Sequence, residues 1–254
     1  LSAMSEVPLQ KLLIFSDSRQ DAAFQAGWME ERSRRFRLRH LLYKTLEAEP
    51  ELIWSLERLT DHLVDSAKQQ KILSSGTWDE ENNLTRVRWF LLEEFASTGQ
   101  RRSSLETLAL AEVLTHGVGL EDVPRFYEKW AARFKVEPEE LQRLVRLVLD
   151  YYRRRGIVSD SLMSRKWSDR DAEVRRGLVQ VHEQYRPKAL VVTKEGPSGY
   201  TFGLVAKNGR SGAQEIFRKG LPGGRDVPAS VRDEFFEDLW DWLTGKDVLV
   251  PVTL

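Results

Sequence analysis

The stretch PEELQRLVRLVLDYYRRRG, residues 138–156, carries every local signal of an amphipathic helix. Its apolar side chains recur every three or four residues and form one stripe that can be buried: Leu141, Leu144, Val145, Val148, Leu149 and Tyr152. Pro138 suits the first turn, where its missing N–H costs nothing, and Gly156 suits the left-handed position that ends a helix. Carboxylates open the stretch and arginines close it, as the helix dipole favours. The sequence therefore predicts a helix over residues 138–155.

Similar spacing predicts further helices along the chain. They cover residues 22–47, 52–70, 84–96, 169–185 and 229–244, with a short helix between NGRSG and LPGGRD. The segment SSLETLALAEVL, residues 103–114, has capping-box spacing at Ser103 and Glu106, and is compatible with a helix or with a helix followed by a strand. The expected fold class is predominantly α within an α+β arrangement, built as a helical bundle.

Short apolar runs predict a few strands. Residues 189–193 and 200–207 are joined by KEGPSG and predict a β-hairpin, and residues 248–252 predict a strand that Pro251 places at an edge. A helix, a glycine and a short apolar run occur in that order twice, as LVLDYYRRRGIVS and LWDWLTGKDVLVPV. Together with a hairpin, this order favours a winged-helix-like module.

Composition limits the classes of function. Lys and Arg total 39 and Asp and Glu total 39, so nucleic-acid binding would depend on local basic patches rather than on net charge. The chain has no cysteine, which excludes disulfides and thiolate zinc ligands and fits a reducing cytoplasm. No apolar run approaches the roughly 18–20 residues that cross a bilayer, so no membrane contact is expected.

The stretch KLLIFSDSRQDAAFQAG, residues 11–27, is a buried-strand pattern followed by a polar cluster and the start of a helix. Such a unit opens an α/β layer, but its partner strands are not visible in this chain. Asp17 and Gln20, or Ser18 and Asp21, have the spacing of a helix cap.

Sequence patterns of common catalytic sites are missing. The chain contains no GxxxxGK[ST] phosphate loop, no acidic D-E-x-D/H box, no GxSxG elbow, and no HxxxH or HExxH pair among its four histidines. We therefore expect no catalytic residue, no metal site and no cofactor in this chain, and expect the isolated chain to be inactive.

Residues 11–27 resemble the first strand and helix, called motif IV, of the second RecA-like domain in superfamily 2 helicases. Three further pieces are similar, in order, to one group of large prokaryotic DEAD/DEAH-box helicases: SSLETLALAEV, LVRLVLDYYRRRGIVS and DLWDWLTGKDVLVPV. The resemblance implies an internal piece of such a protein. It would comprise one strand and helix of an incomplete RecA-like domain (5–50), a helical insertion (51–135) and a winged-helix-like accessory region (136–254). ATP and magnesium are implied for the parent helicase only.

The same resemblance implies that the polar cluster holds nucleic-acid phosphates through Ser16, Ser18, Arg19 and Gln20. Hydroxyls, a guanidinium and backbone N–H groups at a helix start suit an anion, although capping alone also explains the cluster. The expected partners are the DNA or RNA phosphate backbone and the remaining motor domains of the parent.

Two arginine groups are further candidates. Arg153, Arg154 and Arg155 either complement the helix dipole or contact nucleic acid. The arginines of residues 32–39 either contact nucleic acid or form a solvated surface paired with Glu30, Glu31 and Glu47. The competing hypothesis is a winged-helix-like protein-interaction or scaffolding module that does not bind nucleic acid. Zero net charge and the aromatic-rich C-terminal helix favour that alternative.

Overall fold

The computed structural model describes residues 19–73, 80–96, 104–158, 160, 191–195, 201–205 and 211–245. These residues form seven helices and two short strands, so the predominantly α fold class is confirmed. In chain order the elements are α1 (Arg19–Ala48), α2 (Leu56–Gln69), α3 (Glu80–Phe95), α4 (Pro124–Phe134), α5 (Pro138–Arg153), β1 (Val191–Glu195), β2 (Thr201–Val205), α6 (Gly212–Gly220) and α7 (Ala229–Gly245). The predicted strands at 11–15 and 248–252 and the predicted helix at 169–185 lie outside the described residues.

The predicted caps explain where α5 begins and ends. Pro138 occupies its first turn, and the Glu137 backbone N–H donates to Glu140 Oε2 at 3.3 Å. Gly156 has φ +83° just beyond the last turn, as the left-handed stop requires. The helix forms as predicted, with its regular part ending at Arg153.

Two regions differ from the sequence-based prediction. Helix α4 was not predicted, although Pro124 opens it and its apolar side chains recur at helical spacing. The segment beginning at Ser104 forms a turn rather than a helix or strand. Ser104 Oγ accepts from the Thr107 backbone N–H at 3.1 Å, and Ala109 has φ +56°, which a continuing helix cannot contain.

The predicted β-hairpin is wrong, because β1 and β2 pair in parallel, with Val191 opposite Thr201 and Glu195 opposite Val205. Apolar spacing predicts strands but not their relative direction, and residues 196–200 between them lie outside the described residues. The winged-helix-like arrangement stays a prediction.

Buried apolar side chains of the described residues form two main clusters. The first core joins α1, α2, α3 and the turn at Leu105, and the second core joins α4 to α7 with β2. A small third cluster of Trp89 and Leu92 on α3 contacts Val158, beyond α5, and adjoins the first core through Leu56. The predicted domain boundaries at 50/51 and 135/136 fall within these cores rather than between them, so that division stays a prediction.

In the described part of the chain, every helix is too short or too polar to cross a bilayer.

Two buried tyrosines fasten neighbouring segments of the second core. Tyr127 donates its hydroxyl to the Val118 carbonyl at 2.8 Å, and Tyr152 donates to the Gly203 carbonyl at 3.1 Å. Burial raises the pKa of each phenol well above its usual range, because the interior disfavours the phenolate. The neutral forms therefore stabilise the fold.

This tyrosine pair predicts alkaline sensitivity. In the unfolded chain both phenols ionise near pH 10, whereas the folded chain keeps them neutral. The stabilisation is therefore present below about pH 10 and is lost above it, at about 1.4 kcal/mol per pH unit for each tyrosine. Urea unfolding between pH 8 and 11 measures this. We expect Tyr127→Phe/Tyr152→Phe to have a shallower alkaline slope, and an unchanged slope would contradict the assignment.

Candidate nucleic-acid interface

Helix α1 has one face in the first core and two arginines that reach α3. Leu38, Leu41 and Leu42 are buried. Arg35 pairs with Glu93 at 2.8 Å and Arg39 pairs with Glu94 at 2.7 Å. This differs from the predicted pairing of these arginines with Glu30, Glu31 and Glu47. The physical reason is that α3 packs beside α1 and presents two buried carboxylates, which need cations more than exposed ones do.

Glu94 is the centre of this contact. Its carboxylate is fully buried; Oε2 accepts from both Nε and an amino nitrogen of Arg39, and Oε1 accepts from the Leu105 backbone N–H at 2.8 Å. A buried carboxylate is tolerated only when its charge and lone pairs are satisfied in this way. Glu94 therefore also explains the turn at Leu105, because the Leu105 N–H donates to the Glu94 side chain instead of to a backbone carbonyl of a helix.

The arginines at the end of α5 divide into inward and outward ones. Arg153 is 11% exposed, pairs with Glu106 at 2.5 Å, and also donates to the Phe95 carbonyl. Arg154 is 45% exposed and lies 3.2 Å from the same Glu106 carboxylate. The Arg155 guanidinium lies over the Tyr151 ring, 3.7 Å from its centroid, as a cation–π pair.

Both arginine groups therefore meet at one place. Three successive residues at the C-terminal end of α3 receive them: Glu93 binds Arg35, Glu94 binds Arg39, and the Phe95 carbonyl accepts from Arg153. We call this the arginine junction. More than a hundred residues separate the two groups in sequence, and the fold brings them together. Each inward arginine is matched by a carboxylate, so these cations hold the fold.

The outward side of α1 has a different character. Its exposed positions from 32 to 44 are Arg32, Ser33, Phe36, Arg37, His40 and Lys44. Arg37 uses one donor on the Gln70 carbonyl, at 3.0 Å. Lys44 and Tyr43 both donate to Glu47, and these hydrogen bonds lower the pKa of the Glu47 carboxyl. The residues between Glu31 and Glu47 include no aspartate or glutamate, so the charged side chains that α1 places there are basic, and Glu47 balances Lys44 at the end of this segment.

The polar cluster from the N-terminal stretch is only partly placed. Ser16 and Ser18 lie outside the described residues. Helix α1 is described from Arg19 and includes Gln20, but the side chains of these two residues are not described. The proposed phosphate contacts of all four residues therefore stay predictions.

Phe36 is an exposed aromatic residue that the sequence did not single out as a candidate. Trp54 packs against the first core with Arg58 over its ring, 5.2 Å from the centroid, whereas Phe36 is 73% exposed. The signal was present in the sequence. Phe36 lies among arginines and is out of phase with the buried stripe of Leu38, Leu41 and Leu42.

No family model, curated protein or solved structure matches the chain. The sequence contains no phosphate-binding loop of the GxxxxGK[ST] type.

Proposed function

We propose that this chain is an internal region of an ATP-dependent superfamily 2 helicase, where it grips the nucleic-acid backbone while ATP is hydrolysed in another part of the parent. Its own contribution is binding and positioning. The expected setting is cytoplasmic, and the expected partners are DNA or RNA and the other motor domains of the parent.

The observation that supports this proposal is the division of the two arginine groups at the arginine junction. Arg35, Arg39 and Arg153 turn inward to carboxylates. Arg37 and Arg154 stay exposed close to them in sequence. Guanidinium groups on a helix that ion pairs hold in place suit phosphate contacts, because binding then costs little side-chain or backbone conformational entropy.

The end of α5 supplies the most concrete contacts. Arg154 and Arg155 are exposed, and Glu106 and Tyr151 orient their side chains. Arg153 serves as a positioning residue, since its donors are engaged by Glu106, Asp150 and the Phe95 carbonyl. A bound phosphate would replace Glu106 only as the partner of Arg154. The ion pairs of the arginine junction would therefore stay intact on binding.

One observation favours the alternative, a protein-interaction module. The segment after the Ser104 turn exposes three leucines to solvent, Leu108, Leu110 and Leu114, at 52%, 47% and 50%. Exposed apolar side chains close together in sequence are typical of a surface that another protein covers. Nucleic-acid binding and protein interaction differ in one measurable property, because only nucleic-acid binding requires an affinity that weakens with salt.

Titration of the chain against labelled oligonucleotides of about 12 nucleotides tests the proposal. Anisotropy is measured for single-stranded and duplex DNA and RNA at about 50 mM and about 200 mM salt. We expect binding at the lower salt that weakens at the higher one. Arg154→Ala/Arg155→Ala should weaken it about tenfold, because each lost phosphate contact acts on every sequence alike.

Arg218→Ala is the matched control. Arg218 on α6 is 46% exposed and pairs with Glu215, so it resembles Arg154 in exposure and in having a glutamate partner. Its removal should leave binding unchanged. If the chain binds none of the four oligonucleotides at low salt, the helicase proposal is contradicted and the protein-interaction module becomes the better account.

A further inference from the structure

Phe36 lies at the centre of the exposed cationic side of α1. Arg32 precedes it by four residues and His40 follows it by four, so both are its neighbours on the same side of the helix. We call the exposed residues Arg32, Ser33, Phe36, Arg37, His40 and Lys44 the α1 stripe. The stripe is about 18 Å long at ~1.5 Å per residue, the length of about five stacked nucleotides at ~3.4 Å each.

The exposure of Phe36 has no explanation in the packing of α1. The leucines that attach this helix to the first core lie on the opposite side, and Phe36 is 73% exposed. Burying a phenylalanine normally stabilises a protein, and Phe36 does not contribute in that way.

The surroundings of the ring indicate what that partner is. The core of a protein-binding surface is a contiguous apolar area that is depleted of charged residues other than arginine. Phe36 is instead the only large apolar side chain that α1 exposes among the residues with described exposure, and cationic side chains flank it. A lone ring among cations matches a polymer that combines flat aromatic faces with negative charge, which describes single-stranded nucleic acid.

We propose that the α1 stripe is a single-strand binding surface in which the Phe36 ring stacks on an unpaired base while neighbouring cations of α1 hold the flanking phosphates. The inference rests on the proposed nucleic-acid-binding function and makes it more specific. The partner is single-stranded because a base inside a duplex has both faces covered by its neighbours.

The ion pairs of the arginine junction orient α1 so that the α1 stripe faces solvent. Arg35 and Arg39 alternate with the stripe along α1 and bind Glu93 and Glu94, which fixes the rotation of the helix about its axis. Because the inward arginines set that rotation, Phe36 is kept on the solvent side. Stacking then requires the ordering of a single ring, which has few rotamers to lose.

Substitutions at Phe36 test the inference with a 2-aminopurine-labelled single strand of about 12 nucleotides at low salt, in the whole 254-residue chain. Phe36→Ala should weaken binding about tenfold and remove the quenching of 2-aminopurine emission that base stacking causes. Phe36→Leu keeps an apolar side chain without a ring and should behave like alanine. Phe36→Trp should keep both affinity and quenching.

Ile53→Ala is the matched control. Ile53 is 74% exposed in the segment between α1 and α2, so its loss removes a similarly exposed apolar group outside the stripe. We expect it to leave affinity and quenching unchanged. Far-UV circular dichroism should show every variant folded, because each changed side chain is on the surface.

The possible outcomes separate the two proposals. Binding by the wild-type chain that Phe36→Ala leaves unaltered, in affinity and in 2-aminopurine emission, overturns the α1 stripe and leaves the proposed function standing. Equal loss in Phe36→Trp and Phe36→Ala also overturns it, because tryptophan supplies the same stacking surface. Failure of the wild-type chain to bind any oligonucleotide overturns the proposed function, and the stripe with it.

Discussion

Arg39→Ala should lower the free energy of unfolding by about 3–5 kcal/mol, which is a large effect for one partly exposed side chain. The substitution leaves the fully buried Glu94 carboxylate with the Leu105 N–H as its remaining hydrogen-bond donor among those described. Removing one partner of a buried ion pair costs more than the pair contributed, because an uncompensated charge stays in the interior. Urea unfolding followed by circular dichroism measures the change.

Two variants show whether the buried charge causes this loss. Lys44→Ala removes an exposed pair with Glu47 on the same helix, in which both side chains are about half exposed, and should cost far less than Arg39→Ala. Arg39→Met/Glu94→Gln removes both charges and should recover much of the stability. Arg39→Ala within about 0.5 kcal/mol of the wild-type chain would show that the arginine junction does not hold the fold.

Phe235→Ala should destabilise the second core by about 3–5 kcal/mol. The ring is fully buried on α7 and lies within 6 Å of five other rings, so alanine leaves a cavity and removes several aromatic pairs at once. Those five rings belong to Phe126, Trp130, Phe134, Phe217 and Phe236. Thermal and urea unfolding both measure the loss.

Phe36→Ala is the natural comparison, since it makes the same chemical change at a ring that is 73% exposed. Its effect on stability should stay within about 0.5 kcal/mol. Phe235→Leu, which keeps part of the volume, should fall between the two. Equal effects of Phe235→Ala and Phe36→Ala would contradict the assignment of α7 to the second core.

Local signals predicted α5 correctly, whereas α4 was missed although its sequence carries similar signals. For α5, apolar spacing, Pro138 and Gly156 all indicated the same helix, and the second core uses the predicted stripe. The turn at Leu105 could not be predicted locally. Its backbone donor is satisfied by Glu94 and its Glu106 carboxylate by Arg153, and both partners come from other elements.

The partners of the arginines in the candidate interface could not be predicted from local sequence either. The sequence located the arginines, but a helix of alternating arginines does not reveal which of them will meet a buried carboxylate. That depended on Glu93 and Glu94 of α3, which lie 58 and 55 residues from Arg35 and Arg39, so the expected local partners were wrong for these two arginines. The strand pair was misjudged for a related reason. Apolar spacing predicts strands, whereas their relative direction depends on the path of the loop between them.

We propose that exposed cations of this chain grip a nucleic-acid backbone while inward arginines hold the fold. The decisive measurement is the slope of log binding constant against log salt concentration for a single-stranded oligonucleotide and the wild-type chain. We expect a slope of about −1.4 or steeper, equivalent to two or more phosphates at about −0.7 each. Binding that is independent of salt, or no binding at about 50 mM salt, would contradict it.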